Sequence, residues 1–153
     1  MLYFIVNEKS KSGNAKQIWK DIEEVLKVRN VSYQVFVSEY RGHAGKLAGE
    51  ICAMDDDDIC LVAVGGDGTA NEVSNGITDF EKVRFGVIPT GSGNDLARGL
   101  ALSKDPKNGI VHILNAMKKT REDTWCMDLG EANCRLISKV NSFFRSSLIG
   151  SEH

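Results

Sequence analysis

Residues 61–73, "LVAVGGDGTANEV", decide how the chain reads: an apolar run stops on Gly65 and Gly66, and Asp67, Gly68 and Thr69 follow. A strand covered on both faces by helices needs a continuous apolar run, and Ile59 to Val64 is one. The glycines remove the Cβ atoms that would block an anion and permit positive φ, so successive backbone N–H groups can turn toward one point. Thr69 is expected to open a helix whose positive end faces the same point. Together these features suit phosphate. Asp67 is out of place beside phosphate unless a cation or a proton-bearing hydroxyl stands between them, and phosphoryl transfer supplies both. Taken alone, Gly-Asp-Gly is equally well explained as a tight turn.

Outward from this stretch the chain alternates. Leu2 to Val6 is a short apolar strand run ending at Asn7, with the polar turn "NEKSKSGN" behind it. Ala15, Ile18, Trp19, Ile22, Val25 and Leu26 recur at helical spacing. Val31 to Val37 alternates as a strand near a sheet edge does, and Ala44, Leu47, Ala48, Ile51 and Cys52 form a second helical stripe. Val73 and Ile77 mark a short helix, Phe85 to Ile88 a fourth strand, and Leu96, Ala97, Leu100 and Ala101 a further helix. Ile110, Ile113, Leu114 and Met117 form the last, opened near Pro106. This order implies an α/β fold: an open parallel sheet with helices on both faces. Ligands of such sheets gather at the carboxyl ends of the strands. "NEKSKSG", "SEYRGH", "GGDGT" and "PTGSGND" each follow one strand, so four polar loops converge on one rim. In the last of them Pro89 stops the strand, Gly91 and Gly93 open the backbone, and Ser92, Asn94 and Asp95 offer caps or ligand contacts.

Composition narrows the function classes. The chain has 153 residues, 42% hydrophobic and 26% charged, with a formal net charge of -2. That balance gives no general pull toward nucleic acid or anionic lipid, so no nucleic-acid partner is expected and any polyanion must be held by a local site. Apolar runs are too short to cross a bilayer and no leader pattern opens the chain, which places it in the cytoplasm. Cys52, Cys60, Cys126 and Cys134 form no C-x-x-C pair and lie in apolar segments, as reduced buried thiols do. No Gly-x-x-x-x-Gly-Lys-Ser/Thr is present, which excludes the Walker-type ATPases. Asp55 to Asp58 reads as a solvated loop rather than a metal site, and His43 as a capping or surface residue beside Gly42.

"GGDGTANEVSNGI" followed by "GVIPTGSGNDLARGL", with "VNEKSKSGNA" before and "SEYRGHAGKLA" between, closely resembles the diacylglycerol kinase catalytic-domain family. Bacterial lipid kinases and sphingosine kinases belong to it, and NAD kinase and phosphofructokinase are more distant relatives. The resemblance covers about residues 1 to 133. It implies an ATP site, with the phosphates against Gly65, Gly66, Gly68 and Thr69. Asn7, Ser38, Arg41, Thr90, Gly91, Ser92, Gly93 and Asn94 would line the rest. Asp67 would be the catalytic residue, as base or as the carboxylate that organises Mg²⁺, in transfer of the γ-phosphate to a lipid hydroxyl. The implied partners are ATP and a lipid such as diacylglycerol, met at a membrane surface by peripheral association. Glu8 stands where the family usually has proline, and Ser38 where threonine is common.

The same likeness divides the chain at residues 1–121, the ATP-binding α/β domain, and 122–153, the start of a truncated β-rich second domain. "DTWCMDLGEANCRLISKV" looks like the first hairpin of that domain, and "NSFFRSSLIGSEH" no longer resembles the family. A lone hairpin is rarely stable, so Trp125, Met127 and Leu129 are candidates for pairing with another chain as a homodimer. An NAD-kinase-like enzyme and a catalytically silent nucleotide-binding fragment are the alternatives; "PTGSGND" argues against the first.

Overall fold

The computed structural model describes residues 1–9, 14–90, 102–118, 125–129 and 138–142. Its strands are β1 (Leu2–Val6), β2 (Tyr33–Val37), β3 (Ile59–Gly65), β4 (Val83–Pro89), β5 (Trp125–Leu129) and β6 (Ser138–Ser142). The helices are α1 (Ala15–Val28), α2 (His43–Cys52), α3 (Asp67–Gly76) and α4 (Pro106–Met117). They build one sheet in the order β2-β1-β3-β4-β6-β5. β1 pairs in parallel with β2 and β3, and β4 in parallel with β3 and β6; β5 alone runs antiparallel, against β6. The α/β fold read from the alternation is therefore present.

The period of two along the strands sorts the core into two layers. Tyr3, Ile5, Leu61, Ala63, Val83, Phe85 and Val87 face Ala44, Leu47, Ala48 and Ile51 of α2 and Val73 of α3. Leu2, Phe4, Val6, Cys60, Val62, Val64 and Ile88 face Ile22 and Leu26 of α1 and Ile110, Ile113 and Leu114 of α4. Trp19 meets the edge of Phe4 at 5.1 Å between ring centroids, and Tyr33 meets it at 5.9 Å. Strands β1, β3 and β4 are buried throughout, whereas Val35 and Val37 of β2 are exposed, as expected of the outer strand. Asp105 caps α4 by accepting from the Lys107 N–H, and Pro106 occupies its first turn.

Helices α2 and α3 approach closely enough for backbone contact. A Cβ at Gly45 would lie 2.8 Å from the Glu72 carbonyl oxygen, and one at Gly76 would run into the Gly45 carbonyl. Two glycines thus set the separation of the helices that carry the second and third rim loops.

Three expectations need correction. Helix α3 begins at Asp67, two residues before Thr69, because Gly66 already serves as its N-cap with extended backbone angles. Among the described glycines only Gly42 has positive φ, at 88°, so Gly65, Gly66 and Gly68 are not there for left-handed conformation. The acidic run is more than a solvated loop. Asp56 lies 3.2 Å from the N-terminal ammonium and accepts from the Tyr3 hydroxyl at 3.1 Å. Asp58 pairs at 2.9 Å with Arg84, a buried cation that also reaches the last carbonyls of α4. A negative loop is needed at that end of the sheet because β4 buries a guanidinium there.

The expected hairpin forms as β5–β6, and its β6 pairs with β4, so it extends the parallel sheet. Cys52 and Cys60 are buried. The expected helix around Leu96 to Ala101 lies outside the described residues. Among those described, no helix is long and apolar enough to cross a membrane.

Gly45→Ala is expected to cost about 1–3 kcal/mol, because the carbonyl it strikes is backbone and cannot swing away. Gly68→Ala, with open space around its Cβ, should cost nothing; denaturant midpoints of the two variants check the contrast. Partial burial acts to raise the pKa of Asp56, yet the Asp58 N–H, the N-terminal ammonium and the Tyr3 hydroxyl outweigh it and hold the carboxyl below its ordinary value. A depressed carboxylate stabilises the fold above its unfolded pKa and loses that contribution as pH falls through the folded value. Asp56→Asn should therefore cost about 0.5–1 kcal/mol at neutral pH. Urea unfolding should show the difference closing as pH drops below about 3.9.

Candidate functional site

In the order β2-β1-β3-β4 the chain leaves β1 toward one side and returns on the other. The reversal falls between β1 and β3, and a ligand crevice is expected outside the carboxyl ends of those two strands. The strands end in register: Val37 lies opposite Val6, Val6 opposite Val64, and Val64 opposite Ile88. The ladder then runs one residue further at every strand. Ser38 N–H donates to the Val6 carbonyl, Asn7 N–H to that of Val64 and Thr90 N–H to that of Gly65, each at 2.9 Å. These bonds put Ser38, Asn7, Gly65 and Thr90 in one fixed row.

Asn7 bridges the crevice itself. Its Nδ2 donates to Thr69 Oγ1 at 3.1 Å, while its Oδ1 accepts the Lys9 N–H at 3.0 Å and closes a turn. Thr69 is buried on the first turn of α3. A Cβ at Gly65 would lie 2.5 Å from Thr69 Oγ1. Glycine at 65 is thus required by the close approach of Thr69, and the strand must end on it.

Helix α3 follows with no intervening loop. Gly66 as N-cap has no side chain to turn back onto the helix, and the first backbone bond inside the helix runs from the Ala70 N–H to the Gly66 carbonyl. The amides of Asp67, Gly68 and Thr69 therefore have no intrahelical acceptor, and the helix dipole adds positive potential around them. Gly68 is exposed and open, so an approaching anion meets no Cβ there. Asp67, half-buried on the same turn, complements the dipole. Among the described residues no group of three or more His, Cys, Asp or Glu could hold a metal ion. A divalent ion would have to rest on a single carboxylate and complete its shell with ligand oxygens and water, as Mg²⁺ commonly does.

The β2–α2 loop forms the next wall. Ser38 is buried and Arg41 exposed, and among the described residues Arg41 makes no hydrogen bond to the other site residues. His43, read from the sequence as a capping or surface residue, accepts the Glu39 N–H on Nδ1 at 3.0 Å. Lys9, overlooked in the sequence, donates from Nζ to the Glu39 carbonyl at 2.8 Å; a lysine two residues past an asparagine turn was the available signal. Gly91, Ser92, Gly93 and Asn94 lie outside the described residues.

The fold and rim define an open α/β domain whose switch point presents helix amides beside one carboxylate. Residues 1–126 match the diacylglycerol kinase catalytic domain, and the chain belongs to that family. It is 32% identical over 133 residues to "Putative lipid kinase YtlR" of Bacillus subtilis, covering 86% of this chain and 41% of that protein. It is 33% identical over 114 residues to a diacylglycerol kinase of Staphylococcus haemolyticus, covering 72% and 32%. The crystal structure of a diacylglycerol kinase from Bacillus anthracis superposes with a TM-score of 0.64 at 25% identity, covering 74% of this chain and 41% of that one. The chain thus spans less than half the length of these relatives.

Gly65→Ala is expected to push Thr69 away and break its bond with Asn7, costing about 1–3 kcal/mol. A shift of the Asn7 side-chain amide resonance, measured beside thermal unfolding, checks it; an unmoved resonance would contradict the contact.

Proposed function

We propose that the switch-point crevice holds ATP and that the chain supplies the nucleotide side of a lipid kinase. In this reading the amides of Asp67, Gly68 and Thr69 receive the polyphosphate, with the exposed Gly68 leaving room for close approach. Asn7 and Ser38, fixed by the extended ladder, form the floor. Arg41 and Thr90 complete the described part of the walls; Arg41 suits a phosphate oxygen by two parallel hydrogen bonds.

Mg²⁺, when bound, would neutralise the polyphosphate, and Asp67 fits it as a hard oxygen donor. In this reading the chain's own contribution to the reaction is the Asp67 carboxylate, on the first turn of α3, as the group that takes the acceptor's proton. The lipid hydroxyl oxygen attacks the γ-phosphorus, the bond from that phosphorus to the β–γ bridging oxygen breaks, and ADP leaves. The hydroxyl proton passes to an Asp67 oxygen. A primary hydroxyl of diacylglycerol or a similar lipid is the acceptor class, met at a membrane surface. The observation that carries the reading is the contact of Gly65 with Thr69, which ends β3 directly on the amides of α3 in a chain of this family.

The test is transfer of γ-labelled phosphate from ATP to dispersed diacylglycerol by the wild type and Asp67→Asn. Turnover is expected to fall about 10²- to 10⁴-fold, with ATP affinity within a few-fold of wild type. Near-normal turnover would show that Asp67 serves only the helix terminus.

A further inference from the structure

The loop between β2 and α2 is tied down at Glu39 from both sides. Its N–H is taken by His43 Nδ1 at 3.0 Å and its carbonyl by Lys9 Nζ at 2.8 Å. A backbone N–H is always a donor, so Nδ1 must carry a lone pair, and a neutral ring bears its proton on Nε2. The His43 N–H in turn donates to the Tyr40 carbonyl at 3.1 Å. The Tyr40 ring lies on the imidazole at 4.4 Å with 2° between the planes. Gly42, at φ 88°, makes the reversal that brings the ring back over its own loop. Through Lys9 and the Asn7 turn the tie continues to Thr69, so two rim loops and the first turn of α3 share one chain of hydrogen bonds.

We propose, building on the nucleotide reading above, that unprotonated His43 is a positioning residue: it holds the Ser38–Gly42 loop, and with it Arg41, in the ligand-competent arrangement. A proton on Nδ1 turns the acceptor into a donor facing a donor, and the bond to Glu39 is lost. The loop then samples other arrangements, and apparent affinity falls with the competent fraction. Among the described residues, Tyr40 is stacked on the ring, and the charged groups nearest to it along the chain are Glu39 and Arg41 in the loop and Lys46, one turn along α2. Lys9 joins them through the Glu39 carbonyl, and from α3 Glu72 lays its backbone against Gly45.

The test uses the full chain and calorimetry with ATP and saturating Mg²⁺ from about pH 7.5 to about pH 5.5. Wild-type affinity should fall about tenfold over that interval. His43→Asn keeps an acceptor at the position of Nδ1 and takes no proton, so its affinity should match wild type at the upper pH and stay flat. His43→Leu should bind weakly at both ends. Independently of ligand, the Glu39 amide resonance of the wild type should shift with the same midpoint as the His43 ring. Equal pH dependence in wild type and His43→Asn overturns the proposal, as does a Glu39 amide that ignores the ring. No ATP binding at any pH, with the Glu39 amide still following His43, overturns the nucleotide reading and the positioning role with it while leaving the tie itself intact.

Discussion

Strand β3 ends where it does because Thr69 occupies the space a side chain at residue 65 would need. That steric constraint fixes the rest of the rim. It brings the first turn of α3 against the strand without a loop, and it holds the Thr69 hydroxyl within reach of Asn7 on the neighbouring strand. The first-turn amides of α3 and Asp67 are carried along with it. A rim built on a register-locked sheet is stiff, and stiffness is what positioning chemistry requires, since a misplacement of about 1 Å costs about 10²-fold in rate.

The two faces of the sheet contribute differently to that stiffness. On one side α2 and α3 are in backbone contact at Gly45 and Gly76, so the loops that open them cannot move far apart without separating the helices. On the other side α1 and α4 pack through large side chains around Phe4, Ile22 and Ile113. The site therefore sits above the tighter pair. At the opposite end of the sheet Arg84, Asp58 and the last carbonyls of α4 form the polar anchor, far along the strands from the rim.

Much of this was legible in the sequence. The continuous apolar runs at Leu2 to Val6 and Ile59 to Val64 gave their strands to within one residue, because a doubly covered strand leaves no alternative pattern. Pro106 marked the start of α4 because its ring suits the first helical turn. The chemistry of the glycines was not legible. Gly65 reads equally as a turn residue or a close-approach residue, and only the position of Thr69 decides between them. The role of the acidic run was hidden for a related reason: its partners, Arg84 and the N-terminal ammonium, are remote in sequence. The tie at Glu39 ends on that residue's backbone groups, so the identity of residue 39 carries no trace of it.

The account rests on helix amides at the carboxyl end of β3 receiving a nucleotide's phosphates, and a crystal structure of the chain with ADP and Mg²⁺ tests it most directly. The account predicts phosphate oxygens within hydrogen-bond distance of the amide nitrogens of Asp67, Gly68 and Thr69, about 2.7–3.2 Å, with the nucleotide lying over Asn7. A nucleotide bound elsewhere on the sheet, leaving those amides to water, would contradict it.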